Sequence, residues 1–186
     1  MRQVPHPMAG SAIDQPQGSF IDSSLMIPEK VQKVLDASGL TVREFAPGST
    51  ATSMLAAQQL GVAVGQIAKS LLFVGKDGKF FMVVCPGDRR LSNAKLKTVT
   101  GVKSRMASVE EALAATGFGP GGVCPFGIER HIVVYIDRSL SEYATIYPAA
   151  GTDSSGVPMT FDRLVAVTGG TVGDFLAKAA GDQEKQ

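Results

Sequence analysis

Histidine is scarce in this chain: there are two, and His6 lies in a first stretch, Met1 to Ser24, dominated by proline, glycine and small polar residues. His131 is then the one imidazole available to a folded core. A Ser-His-Asp or Cys-His site would have to be built on it, and no G-x-S-x-G turn accompanies it. His131 precedes a β-branched run, Ile132 to Ile136, where marking the polar end of a strand is a sufficient role. Cysteine is as rare. Cys85 and Cys124 are too few for a disulfide framework, and a reduced, cytoplasmic setting is the simplest expectation. Zinc-type spacing, a P-loop and a dinucleotide fingerprint are missing, because the glycines of Gly117-Phe118-Gly119-Pro120-Gly121-Gly122 precede a strand and do not open a helix. Neither a metal nor a cofactor is expected. No apolar run reaches the roughly 20 residues of a membrane helix, and the start lacks the apolar stretch of a secretory signal. With a net charge of only +1, any nucleic-acid contact must come from local clustering.

What is present suits one compact domain: 186 residues, 44% apolar and 19% charged. The composition predicts a mobile tail over residues 1–24, a single domain over 25–180 and a polar tail over 181–186. Pro28, with Val31, Val34 and Leu35 at helical spacing and Gly39 as a stop, predicts a first helix. Thr41 to Phe45 reads as a short strand. Thr52 is placed to cap a helix ending at Gly61. Ile67 to Val74 and Phe80 to Cys85 read as strands joined by a hairpin at Lys76-Asp77-Gly78-Lys79. Ser92 and Ser108 cap further helices, Ala144 to Tyr147 reads as a strand, and Thr160 opens the last amphipathic segment. Irregular alternation with at least one hairpin predicts an α/β (α+β) fold, a mixed and largely antiparallel central sheet flanked by helices.

Three features could carry chemistry. Lys69 lies inside the apolar run Ile67-Ala68-Lys69-Ser70-Leu71-Leu72-Phe73. Its side chain either snorkels to water or forms a fixed cation facing a phosphate or a reacting carbonyl, since an unpaired buried ammonium is costly. The loop Gly119-Pro120-Gly121-Gly122-Val123-Cys124-Pro125-Phe126-Gly127 is either a plain turn or a presenter of main-chain N–H groups to a developing oxyanion. Cys124 within it has no evident base to make it a nucleophile. Asp137 ends a strand and either caps the following turn or faces a site.

In this order and spacing the features, with Thr145-Ile146-Tyr147 and Ala150-Gly151 downstream and Thr52-Ser53-Met54-Leu55-Ala56-Ala57 upstream, resemble the YbaK family. That family comprises free-standing aminoacyl-tRNA deacylases related to the editing insertion of bacterial prolyl-tRNA synthetases. The resemblance runs from about Pro28 to Leu176. It implies that Lys69 engages the terminal adenosine or its phosphate, and that the Gly121–Pro125 loop orients the aminoacyl carbonyl. It further implies a catalytic set of Lys69, Gly121, Gly122 and Asp137, with Thr52, Val123, Cys124, Pro125, Phe126 and Gly151 around the substrate. Two departures leave the amino acid open. Tyr147-Pro148 stands where alanine-removing relatives often carry a histidine. Gly151 to Gly156 lacks the two basic residues of cysteine-removing relatives.

The implied activity is hydrolysis of a small amino acid wrongly esterified to tRNA, tRNA-Pro above all, with prolyl-tRNA synthetase as a possible partner and neither membrane nor DNA involved. The other reading is a non-catalytic tRNA- or synthetase-binding module of the same fold. Between Arg89 and Arg105, the residues Arg89, Arg90, Lys95, Lys97, Lys103 and Arg105 occur with no acidic residue among them. Arg89, Arg90, Lys95 and Lys97 are the expected tRNA contacts, against the alternative of a solvated helix face.

Overall fold

The computed structural model describes residues 26–129 and 131–178; the expected tails at 1–24 and 181–186 lie outside the described residues. In chain order the elements are α1 (Glu29–Ala37), β1 (Arg43–Glu44), α2 (Ser53–Leu60), β2 (Ala68–Gly75), β3 (Phe80–Pro86), α3 (Asn93–Thr100), β4 (Ser104–Met106), α4 (Val109–Thr116), β5 (Val133–Asp137), β6 (Ser155–Gly156), α5 (Phe161–Thr168) and β7 (Thr171–Gly173).

Local chemistry accounts for the helix boundaries. Hydroxyls at Thr52, Ser92, Ser108 and Thr160 each accept a main-chain N–H three residues on, so that α2 to α5 all start on a capped turn. Ser108 and Glu111 complete a reciprocal capping box. Gly61, Gly101, Gly117 and Gly169 end the same four helices in the left-handed conformation.

The main sheet has the order β4-β2-β3-β5-β7. β2 runs antiparallel to both β3 and β4, whereas β5 is parallel to β3 and β7 parallel to β5. β1 and β6 form a separate antiparallel pair. The five-stranded sheet is mixed, with two antiparallel and two parallel ladders. The β2–β3 hairpin turns where the Asp77-Gly78 pair predicts, with Gly78 at φ +79°.

Elsewhere the strands depart from expectation. The predicted strand at Thr41–Phe45 shrinks to Arg43–Glu44. Ala144 to Tyr147 contributes only the single bridge Ile146 to Met159, because its main chain is divided among Gln66, Ala68 and Met159.

Side chains alternate across the sheet. Ala68, Leu72, Met82, Val84, Val134 and Ile136 face a core shared with Val31 and Leu35 of α1, Leu164 of α5, and Phe118, Cys124 and Phe126 of the glycine-rich loop. Phe73, Phe81 and Val83 face the other way, onto Leu96 and Phe175. On that second face a run of rings extends from Phe73 through Phe81 and Tyr135 to Phe175, with centroids 5.5, 5.8 and 5.6 Å apart. Each fully buried large apolar side chain adds roughly 1.5–3 kcal/mol.

Candidate active site

β4 is only three residues long and pairs with the far end of β2, from Phe73 to Gly75. The edge of β2 is therefore free near its start. Ala68 donates its N–H to the Tyr147 carbonyl at 3.2 Å, and Leu72 accepts from the Ala107 N–H at 2.9 Å. Between these two ties opens a cavity of about 300 Å3. The segment Thr50–Ser53 at the start of α2, the strand stretch Ile67–Leu71, Gly121, Val123, Tyr147 and Ser155 line it.

Lys69 and two residues of the glycine-rich loop thus border one space, although they reach it from different sides. Lys69 shares its face of β2 with Leu71 and Phe73, opposite the face on which Phe118 and Cys124 pack. Its ammonium donates to the carbonyls of Gly87 (3.3 Å) and Arg89 (2.7 Å). Gly87 lies against the α2 start, for a β-carbon there would come 2.7 Å from that of Ser53. The lysine is a half-buried cation held by main chain, beside the opening of α2.

The loop is built by close main-chain contact. Gly121 adopts φ +77°, and a β-carbon there would fall 2.8 Å from the Ala51 Cα. Gly122 is packed on Gly151, which itself adopts φ +90° against Pro28. The Gly122 N–H closes a turn onto the Gly119 carbonyl at 3.1 Å and is not free for a substrate.

The other expected residues divide. Thr52 lines the cavity while its hydroxyl caps α2, accepting from the Leu55 N–H at 3.2 Å. Val123 lines the cavity half-buried. Cys124, Pro125 and Phe126 turn away from it. Cys124 and Phe126 are core residues, Pro125 and Phe126 border a different cleft next to β5, and burial pushes the Cys124 thiol up to about 12. Asp137 is also elsewhere, as the turn cap: one carboxylate oxygen accepts from the Ser139 N–H (3.0 Å) and hydroxyl (2.6 Å), the other from the Phe175 N–H (2.7 Å). Each oxygen already serves main chain, so this carboxylate ties β5 to the segment after β7 and does not face the cavity.

The basic stretch is less free than its sequence implies. Lys95 pairs with Asp174 at 2.6 Å, and Arg105 forms a two-pronged bond to Glu111 at 2.7 Å, partners that lie outside the linear run. Arg89 lies 3.7 Å from Asp88. Among the described residues, Arg90 and Lys97 have no carboxylate within 4.0 Å; both are exposed. Arg89 and Arg90 flank a cleft of about 450 Å3 that also reaches Lys69 and Leu71, so it adjoins the cavity.

Sequence reasoning assigned no site role to Thr50, Ser53, Ser70 or Ser155, and noted Tyr147 only as a departure from a histidine of some relatives. Thr50 and Ser155 hold each other, the Thr50 hydroxyl accepting from the Ser155 N–H at 3.1 Å. The Ser70 hydroxyl is buried with no hydrogen-bond partner among the described residues. Its signal in the sequence was a second polar residue, next to Lys69, in an otherwise apolar strand.

Comparison with known proteins identifies the family. A profile of the aminoacyl-tRNA editing domain matches residues 48–166, which contain every wall of the cavity. The uncharacterized protein YwhH of Bacillus subtilis (strain 168) is 41% identical over 116 residues, 62% of this chain and 74% of its own length. EbsC of Enterococcus faecalis (strain ATCC 700802 / V583), named as a candidate Cys-tRNA(Pro)/Cys-tRNA(Cys) deacylase, is 27% identical over 123 residues, 66% of this chain and 75% of its own. A crystal structure of a candidate trans-editing enzyme for prolyl tRNA synthetase superposes with a TM-score of 0.73 at 38% identity, covering 80% of this chain and 95% of that one. Sequence profile and superposed fold converge on one answer: the chain belongs to the aminoacyl-tRNA editing domain family, of the YbaK type and homologous to the editing domain of prolyl-tRNA synthetase.

Proposed function

We propose that this protein is a free-standing deacylase, acting in trans in the cytoplasm on tRNA-Pro that carries a small, uncharged, wrongly attached amino acid. The observation that carries this reading is the shared border of Lys69, Gly121 and Val123 on one cavity beside an open strand edge. The substrate is an ester of the terminal ribose, and such an ester is reactive enough that positioning and charge stabilisation suffice. Water adds to the acyl carbon, the bond from that carbon to the ribose oxygen breaks, and the ribose oxygen leaves with a proton. The products are a free amino acid and uncharged tRNA. Lys69 anchors the tRNA end by its phosphate or ribose, and Gly121 and Val123 close the wall behind the acyl group.

A pocket of this kind acts as a second sieve. A synthetase rejects an amino acid one methylene too small by only about 1–3 kcal/mol, and a separate hydrolytic site supplies the remaining discrimination. The prolyl assignment is supported by what EbsC and the superposed trans-editing enzyme are named for. Arg89 and Arg90, on the cleft that adjoins the cavity, are assigned to the phosphates of the acceptor end.

The test is release of amino acid from tRNA-Pro charged with alanine, cysteine, serine, threonine or 2-aminobutyrate. Hydrolysis of any one, with prolyl-tRNA spared, supports the reading. Tight binding without release of any would replace it with a tRNA- or synthetase-binding module.

A further inference from the structure

The open edge of β2 is one residue long, and its chemistry matches an amino acid. Alternate residues of a strand direct their N–H and C=O to the same side. The outward ties at Ala68 and Leu72 therefore place the N–H and C=O of Ser70 on that same edge, between the Tyr147 and Ala107 attachments. No described residue bonds either group, and the Ser70 hydroxyl is buried without a partner as well. Three unpaired polar groups on one residue are a cost unless something completes them. Next to them, between β2 and α4, lies an apolar cleft of about 120 Å3, walled by Leu72, Ala107, Ala112, Phe118, Pro120 and Val123. Ser70, Leu71 and Val123 border both this cleft and the larger cavity.

We propose that Ser70 receives the aminoacyl group as a one-residue antiparallel β-bridge, its N–H on the ester carbonyl and its C=O on the α-amino group, with the amino-acid side chain in the apolar cleft. This rests on the deacylase reading and states how that site holds its substrate. Residues paired across an antiparallel ladder place their side chains on the same face. The substrate side chain then falls on the side of the Ser70 hydroxyl, the face on which Phe118 and Val123 pack. In the same orientation the ester oxygen points towards Ala68 and Tyr147, bringing the ribose into the larger cavity that Lys69 borders. The Ser70 N–H is then the main-chain donor to the developing oxyanion, a part the Gly122 N–H, bonded to Gly119, does not play. At roughly 30 Å3 per water-sized group the cleft has room for about four such groups, enough for a small aliphatic side chain. A prolyl group fits the bridge poorly, because its ring fixes the directions of the amine hydrogens, whereas an open-chain ammonium rotates freely to meet the Ser70 carbonyl.

The experiment uses the full chain with tRNA-Pro charged with alanine or with 2-aminobutyrate. Ser70→Pro deletes the outward N–H without removing a ladder bond, a position where a strand tolerates proline. It is expected to lower kcat on alanyl-tRNA by about a hundredfold or more, the usual effect of losing one oxyanion donor. Ser70→Ala, which keeps the main chain, is expected to lose far less. Wild-type turnover by Ser70→Pro overturns the bridge. Should that variant fail to fold, Ala112→Leu decides. Filling the cleft from α4 should reduce kcat/KM for 2-aminobutyryl-tRNA at least about tenfold more than for alanyl-tRNA. An equal effect on the two esters, or none, overturns the bridge while leaving an active deacylase. A wild-type protein that releases another of the five amino acids but neither of these overturns the bridge alone; one that releases none of the five overturns the deacylase reading and the bridge with it.

Discussion

Gly122 and Gly151 meet main chain to main chain, and a β-carbon on Gly122 would lie 2.7 Å from both carbonyl atoms of Gly151. Neither side of that contact is a side chain that can swing away. Gly122→Ala is therefore expected to push the loop off the 150s segment, at a cost of roughly 1–3 kcal/mol, and to slow deacylation. Gly119→Ala is the control, since nothing lies within 4 Å of a β-carbon there. Thermal unfolding should separate the two; equal melting temperatures would show that the contact is not structurally significant.

Lys69→Ala should reduce deacylation by about tenfold or more, the scale of a hydrogen bond to a charged group. The fold should survive, because the lysine is only half-buried and its two carbonyl partners adjoin solvent. Unchanged turnover on mischarged tRNA-Pro would remove the lysine from the mechanism.

The two thiols should be inert. Burial pushes both Cys85 and Cys124 up to about 12, so little thiolate exists at neutral pH. Cys124→Ala should retain turnover and lose about 1 kcal/mol or more of stability through the cavity left in the core. Loss of activity with unchanged stability would restore the cysteine as a catalytic candidate.

Charge reversal at Arg89 and Arg90 should weaken tRNA binding and lower its salt dependence by about one phosphate contact per residue. Reversal at Lys95 should do less, because Asp174 already neutralises that ammonium. A larger effect at Lys95 than at Arg90 would move the tRNA path onto α3.

The Glu111 carboxyl is pushed down to about 2, first by its hydrogen bonds from Arg105 and then by the Ser108 N–H. A carboxylate favoured in the folded state adds stability above its unfolded value near 4.5, and that contribution is lost as pH falls towards 2. Glu111→Gln should accordingly lower the melting temperature at pH 7, and the difference from wild type should shrink between pH 4.5 and 2. A pH-independent difference would assign the effect to the capping hydrogen bond alone.

The helices were legible because their boundaries are decided within four residues. Thr52, Ser92, Ser108 and Thr160 each cap the next helical turn, whatever the rest of the chain does. Short strands such as β4 and β7 left no such trace, since three residues become a strand only when a distant partner lies alongside. The cavity was half legible. Lys69 stood out as a cation in an apolar run, whereas the position of Asp137 depends on Phe175, almost forty residues away, approaching with an N–H to be bonded. Ser70 was harder to read for a different reason: its hydroxyl marks a polar position in an apolar strand, but its N–H and C=O are groups every residue possesses, and only the topology shows that they are unmatched.

The Ala107 attachment at Leu72 has one further consequence. A chain bound antiparallel on Ser70 would have to run its preceding residue straight into that attachment. A single esterified residue ends there in a free amine, but a growing polypeptide does not. On the proposed bridge, an edge closed at this point would spare peptidyl-tRNA, and the ribosome's own intermediates would stay out of reach of a deacylase that cuts the same kind of bond.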